Sequence, residues 1–275
     1  LQVNLGICQF QVVADKATNL ERATQFINRV AGAGAQIIAL PEMFNCPYRQ
    51  KSFAQYAETA PDGETLTLLA KLARTNGCYL IGGSIPEREQ GKLYNTSFVF
   101  DRNGTIVARY RKVHLFDIAI PGKITCQESA VFSAGDAITY FDTEYGRFGV
   151  AICYDLRFPE LFRLLVDMSV RAVFVPAAFN TTTGPAHWRT LLRSRAIDNQ
   201  VFIAGIGPAR NPAANYAAYG HSAVVDPWGT VLWEAEAEEA LNVVPLDLDK
   251  VAAVRQELPL LAHRRSDLYC IKWFR

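Results

Sequence analysis

The stretch Gly149-Val150-Ala151-Ile152-Cys153-Tyr154-Asp155 decides how the rest of the chain is read. Small and apolar residues run up to a single cysteine and stop at a polar, charged turn. Such a run predicts a buried strand over Phe148–Cys153 that ends in a tight bend. A thiol at that place sits at a strand tip, turned to a cleft. Free cysteine is also a common core residue, but Asp155 and Arg157 follow at once, which does not suit plain packing. If Cys153 is a nucleophile, the chain must supply a base and a partner for the oxyanion.

Outward from this strand the pattern alternates. Downstream, Glu160–Asp167 reads as a helix, Ala172–Val175 as a strand stopped by Pro176, Trp188–Asn199 as a helix and Val201–Ile206 as a strand. Two further strands flank the turn Asp226-Pro227-Trp228-Gly229, then come a strand over Leu241–Leu246 and a helix over Lys250–Glu257. Upstream, Val3–Phe10 and Gln36–Leu40 are apolar strands around a helix marked by Leu20, Ala23, Ile27 and Val30 and closed by Gly32 and Gly34. Leu66, Leu69, Ala70 and Ala73 predict a second helix, and Cys78–Ile85 a strand containing Gly82-Gly83. Leu93–Phe100 and Thr105–Arg111 predict a hairpin across Asp101-Arg102-Asn103-Gly104. Hairpins mixed with β-α-β units predict an α/β sandwich with mixed sheets. No linker-like run divides the chain, so residues 1–275 read as one domain, with 248–275 as a C-terminal helix and tail.

Composition excludes several classes. The 275 residues carry a net charge of +1, which gives no general attraction to nucleic acid or an anionic membrane. No apolar run reaches membrane-spanning length. The six cysteines form no C-x-x-C pair and no cluster with histidine, so neither a disulfide scaffold nor a zinc site is expected, and reduced thiols in a cytoplasmic setting fit. Leu1–Phe10 lacks the basic start of a signal peptide; a missing upstream segment would leave a mitochondrial location open. Asn95-Thr96-Ser97 and two similar triplets match glycosylation acceptors, which mean little without a secretory signal. Gly205-Ile206-Gly207 lacks the third glycine of a dinucleotide fingerprint. No cofactor or metal is expected.

Three groups are candidates to serve the thiol. Glu42, directly after Pro41 at a strand end, has apolar neighbours that desolvate it and suit a proton acceptor near neutral pH; the plain reading is a carboxylate paired with a cation. Lys112, at the end of a predicted strand, is placed to hold an oxyanion and to depress a nearby thiol pKa; the plain reading is a solvated basic edge. Glu128 lies in a predicted loop, Gly122 to Ser129, as a solvated acid or as a second acid that orients Lys112 or helps place substrate. The four histidines are scattered, and His187, beside Trp188, reads as a packed structural residue.

With these residues in place the chain resembles the nitrilase superfamily of carbon–nitrogen hydrolases. The order of Glu42, Lys112 and Cys153, the Cys-Tyr-Asp context and the position of Glu128 carry the resemblance, which runs from about Val3 to Tyr269. It implies a four-layer αββα sandwich and catalysis by those residues, with the backbone N–H of Tyr154 as a second oxyanion donor. Phe116-Asp117 through Thr125, Ala178-Phe179-Asn180 through Trp188, and Arg265 to Tyr269 make it most similar to the omega-amidase branch. That branch implies short 2-oxo acid monoamides as substrates, Arg157 as the partner of their carboxylate, and Phe179, Thr183 and Tyr48 as pocket residues; the plain reading of Arg157 is an ion pair with Asp155 or Glu160. It also implies a homodimer or higher homo-oligomer, with Tyr269, Trp273 and Phe274 at the interface or frayed. An amidase for deaminated glutathione and a non-catalytic amide-binding protein on the same fold are the alternatives; nitrile hydrolysis fits less well.

Overall fold

Strand β1 (Gln2–Gln9) explains the layering by its alternation. Val3, Leu5 and Ile7 point into one apolar cluster, and Cys8, with Phe10 just beyond the strand, into another. The second cluster holds Leu20, Ala23, Ile27 and Val30, the buried stripe of helix α1 (Lys16–Gly32). A side chain alternation of two against a helical stripe of 3.6 is what stacks a helix on a sheet. The same split recurs in β2 (Ile37–Ala39), where Ile37 and Ala39 face one way and Ile38 the other. The computed structural model describes residues 1–274; Arg275, the end of the predicted tail, lies outside them.

The first sheet has seven strands. Its order is β15 (Ala240–Asp247), β1, β2, β3 (Tyr79–Ile81), β5 (Lys92–Phe100) and β4 (Ile85–Glu89), with β6 (Ile106–Arg111) also paired to β5. Strands β1, β2 and β3 are parallel neighbours and the rest antiparallel. Helices α1 and α3 (Glu64–Asn76) cover its outer face. The second sheet has six strands, ordered β14 (Val231–Glu234), β13 (Ala223–Val225), β12 (Phe202–Ile206), β11 (Ala172–Pro176), β10 (Gly146–Val150) and β9 (Thr139–Thr143). Helices α4 (Pro159–Asp167) and α5 (Gly184–Asn199) pack with it, and Leu161, Phe162, Leu165, Trp188 and Leu192 enter the same cluster as its strands. Because Val3, Leu5 and Ile7 share that cluster with Phe148, Val150 and Val173, the two sheets face one another. The layers are therefore helices, sheet, sheet, helices, the expected αββα sandwich with mixed sheets. Helix α6 (Asp249–Glu257) follows β15.

Three local readings differ from the sequence expectation. The strand before Cys153 ends at Val150, and Cys153 opens a 3-10 turn over Cys153–Arg157 with φ +46°. The predicted strand Cys78–Ile85 breaks at Gly82-Gly83 into β3 and β4. Gly83 has φ +58°, and a Cβ there would fall 2.1 Å from the Pro41 carbonyl oxygen, so only glycine lets this turn approach the segment that carries Glu42. The predicted loop before Glu128 is instead the hairpin β7 (Asp117–Ile120) and β8 (Ile124–Gln127), outside both sheets. A short helix α2 (Gln50–Tyr56) packs Phe53 against Met43 and Phe132 beside the Glu42 turn. Among the described residues no helix is long and apolar enough to cross a membrane.

Candidate active site

Strand ends converge on one cleft. Glu42 follows β2, Lys112 follows β6, Glu128 follows β8, and Cys153 follows β10. The segment Ala178–Thr183 runs between β11 and α5. Clefts outside the carboxyl ends of parallel strands are the usual ligand sites of α/β sheets, and β2, β10 and β11 are such strands here.

Lys112 is fully buried and lies between two buried carboxylates. Its Nζ is 3.0 Å from Glu42 Oε1 and 2.8 Å from Glu128 Oε2. Burial opposes its charge, but Glu128 and Glu42 override that and hold its pKa well above the usual lysine range. Asn95 on β5 ties the carboxylates together, its Nδ2 donating to Glu42 Oε1 at 2.8 Å and to Glu128 Oε1 at 3.0 Å. The Phe116 N–H donates to Glu128 Oε2 at 2.7 Å. So Glu128 is a buried structural partner of Lys112, not a solvated loop acid. Asn95, one of the glycosylation-like triplets, is 0% exposed, and nothing in its local sequence signalled this role.

The Cys153 thiol lies beside Glu42. Burial raises the Glu42 pKa above the usual carboxylate range, and Glu128 adds to it against the pull of Lys112. Burial also pushes the Cys153 pKa well up, and the Glu42 charge adds to it; Lys112 and the Ala178 N–H pull the other way and lose. Lys112 does depress the thiol pKa, as expected, but burial and the Glu42 charge outweigh it. Cys153 therefore stands as a protonated thiol next to a carboxylate. Glu42 Oε2 has no other donor from the protein.

The backbone holding these groups is strained on both sides. Met43, just after Glu42, has φ +51°, and its N–H donates to Ser84 Oγ at 3.1 Å. Positive φ at non-glycine residues persists where surrounding structure enforces it, often at functional sites. Around Cys153 that enforcement comes from Asp155, which is fully buried. It accepts from the Ile152 N–H at 2.9 Å, the Tyr110 hydroxyl at 2.7 Å and the His114 N–H at 3.0 Å. Asp155 thus sews the cysteine turn to the chain on either side of Lys112. His114 lies 2.8 Å from the same carboxylate and stacks on Phe158 at 3.6 Å, which takes it out of contention as a base for the thiol.

A narrow slot opens beyond Cys153, lined by Phe116, Tyr154, Arg157, Phe179 and Thr183 among others. Arg157 makes no ion pair with any carboxylate among the described residues, so the Asp155 or Glu160 pairing is not found. Its guanidinium lies 5.1 Å from the Phe179 ring centre and 5.6 Å from that of Tyr154. Its Nη1 is 3.0 Å from His187 Nδ1, which must then accept. His187 is exposed; Trp188 is the packed neighbour, donating to the His221 carbonyl. Tyr48 stands on the other side, in a larger cavity of about 380 Å³ that also touches Glu42 and Arg49. Among the described residues no group of three or more His, Cys, Asp or Glu is arranged to hold a metal ion.

Comparison with known proteins shows the family. Residues 4–256 match the carbon–nitrogen hydrolase family model. The human omega-amidase NIT2 is 51% identical over 268 residues, covering 98% of this chain and 97% of that protein. The crystal structure of Nit3 from Saccharomyces cerevisiae, a member of branch 10 of the nitrilase superfamily, superposes with a TM-score of 0.89 at 40% identity over 96% of this chain and 97% of that one. The amidase from Nesterenkonia sp. AN1 is 26% identical with a TM-score of 0.76, covering 94% of this chain and 98% of that one; in a Glu-to-Gln mutant, acrylamide is added at its active-site cysteine.

Proposed function

The chain belongs to the carbon–nitrogen hydrolase family, and from that premise we propose that it is an omega-amidase acting through Cys153. The observation that carries the reading is the buried set of Glu42, Lys112 and Glu128 against the thiol, beside a slot whose arginine has no carboxylate partner. Cys153 sulfur attacks the terminal amide carbon as its proton passes to Glu42. Lys112 and the Tyr154 N–H hold the oxyanion. The C–N bond breaks as Glu42 returns the proton to nitrogen, releasing ammonia and leaving a thioester. Water then attacks the thioester, losing a proton to Glu42. Collapse expels the sulfur, which takes that proton back, and the carboxylic acid leaves.

The substrate class is the short 2-oxo acid monoamide, such as 2-oxoglutaramate or 2-oxosuccinamate. Arg157 is the fork for its carboxylate, with Phe179 and Thr183 lining the acyl side and Tyr48 the opposite wall. The cavity at Glu42, on the side where the leaving group departs, favours one second reading, an amidase for deaminated glutathione, whose leaving group is a dipeptide. Ammonia release from 2-oxoglutaramate, set against cleavage of deaminated glutathione and of a simple aliphatic amide, tests the assignment; preference for either of the other two would overturn it. The six unpaired thiols support a reducing compartment, the cytoplasm or the mitochondrion. Exposed Leu258, Leu260, Leu268, Tyr269 and Phe274 support a homo-oligomer formed through the C-terminal segment.

A further inference from the structure

Asn180 is a buried amide with one end committed and the other open. It is 4% exposed and lines the slot with Cys153 and Arg157. Its Oδ1 accepts from the Thr182 N–H at 2.9 Å and the Thr183 N–H at 3.0 Å. Two backbone donors on one atom identify that atom as the oxygen, so the orientation of the amide follows from chemistry. Nδ2 is then left with two N–H groups, no access to water and no acceptor among the described residues. The Tyr216 hydroxyl donates to the Ala178 carbonyl, and its oxygen lies close enough to feel the Asn180 amide, but no hydrogen bond of normal geometry joins it to Nδ2. A buried unpaired donor is costly and rare in native proteins, and calls for a partner.

Arg157, Asn180 and Thr183 together present donors, and no carboxylate lines the slot. We infer that Asn180 is a specificity-determining residue whose Nδ2 donates to the 2-oxo oxygen of the substrate while Arg157 holds the adjacent carboxylate. A ketone in that place accepts, whereas the ammonium of a 2-amino acid would meet an N–H donor and a guanidinium and find no counter-charge. The slot therefore selects 2-oxo over 2-amino acid monoamides. This assignment rests on the omega-amidase reading.

Asn180→Asp is the decisive variant, because it keeps an acceptor for the Thr182 and Thr183 N–H groups while replacing the open donor with an anionic oxygen. Wild type, Asn180→Asp and Asn180→Ala are compared by kcat/KM on 2-oxoglutaramate, on glutaric acid monoamide, which lacks the ketone, and on L-glutamine. In Asn180→Asp the preference for 2-oxoglutaramate over the ketone-free monoamide falls roughly ten- to hundred-fold, from one lost neutral hydrogen bond together with the repulsion between the new carboxylate and the ketone oxygen. The preference for 2-oxoglutaramate over glutamine narrows as well. Asn180→Ala shows a smaller loss of preference, about three- to tenfold, on top of a general loss from loosening the 180–183 turn. A uniform loss on all three substrates in both variants would reduce Asn180 to a loop residue and overturn the inference. Wild-type protein that fails to hydrolyse 2-oxoglutaramate would instead sink the omega-amidase reading.

Discussion

The wall of the cleft that carries Glu42, Lys112 and Glu128 matches its charges with one another, whereas the wall that carries Arg157 leaves its cation without a carboxylate among the described residues. The atoms left open differ in the same sense. On the first wall Glu42 Oε2 is an acceptor without a protein N–H or O–H; on the second Asn180 Nδ2 is a donor without an acceptor. A molecule with an NH₂ group at one end and oxygens at the other complements both. The first wall is assembled without a ligand, because a buried lysine between two carboxylates needs them both to offset desolvation. On our reading, the second is completed only when something oxygen-rich enters. Each prediction below asks whether chemistry belongs to the first wall and recognition to the second.

The largest effect falls on the nucleophile. Cys153→Ala and Glu42→Gln should each lower kcat by about ten-thousand-fold or more, because groups that act in one proton and acyl transfer fail together. The double variant should be little worse than either single one. Additive losses, measured by ammonia release, would break the claim that thiol and carboxylate form one unit.

Removing one cation from each wall gives the sharpest contrast. Lys112→Met leaves Glu42 and Glu128 facing each other while buried, and should lower unfolding stability by about 3–5 kcal/mol near neutral pH. That loss should shrink at low pH, where the carboxylates take up protons and no uncompensated charge remains. Arg157→Met should change stability by only about 0.5 kcal/mol, since no ion pair is broken. It should raise KM for a 2-oxo acid monoamide roughly ten- to hundred-fold, with a smaller change for a neutral amide. Urea unfolding and steady-state kinetics on both proteins check the contrast, and a reversed pattern would exchange the roles of the two walls.

Titration carries the next effect. Glu42 must be ionised to accept the thiol proton, and burial holds its pKa above the usual carboxylate range. Activity is therefore present above that raised pKa and falls by about tenfold per unit as pH drops below it. An acid limb of kcat/KM lying inside the ordinary carboxylate range would show that Glu42 is not the group that titrates.

The two walls were not equally readable from sequence. Glu42 and Cys153 could be found because each follows an apolar strand closely, and strand ends face clefts. Lys112 was placed by its strand, but its isolation from water was not, since burial there depends on carboxylates 70 residues upstream and 16 downstream. Asn95 looked like a surface triplet because its partners lie 53 and 33 residues away. Asp155 stands beside the cysteine in sequence, yet its partners Tyr110 and His114 are 45 and 41 residues distant. Hairpin β7–β8 escaped because each strand has only four residues and its inward side chains are only half-buried, so the alternation is too short to stand out. The layers were legible because periods of two and 3.6 are local; the polar network was not, because hydrogen bonds between strand ends leave no period.

Tyr48 gives the smallest effect and tests the first wall at its weakest point. Its hydroxyl is buried without a hydrogen-bond partner, although its ring packs on Phe53 at 5.6 Å and on Tyr216 at 4.6 Å. Burial, then the nearby Glu128, Glu42 and Cys153 charges, push its pKa well up, so the hydroxyl keeps its proton and remains a donor. Tyr48→Phe retains the ring contacts and deletes only the orphan. Stability should hold or rise by up to about 1 kcal/mol, because an unpaired buried hydroxyl is a burden in the free protein. If that donor meets the substrate, kcat/KM should nevertheless fall about three- to tenfold, the size of a single neutral hydrogen bond. Stability gained with activity lost would mean that recognition reaches across to the wall of Glu42. Stability gained with activity intact would confine recognition to the Arg157 wall.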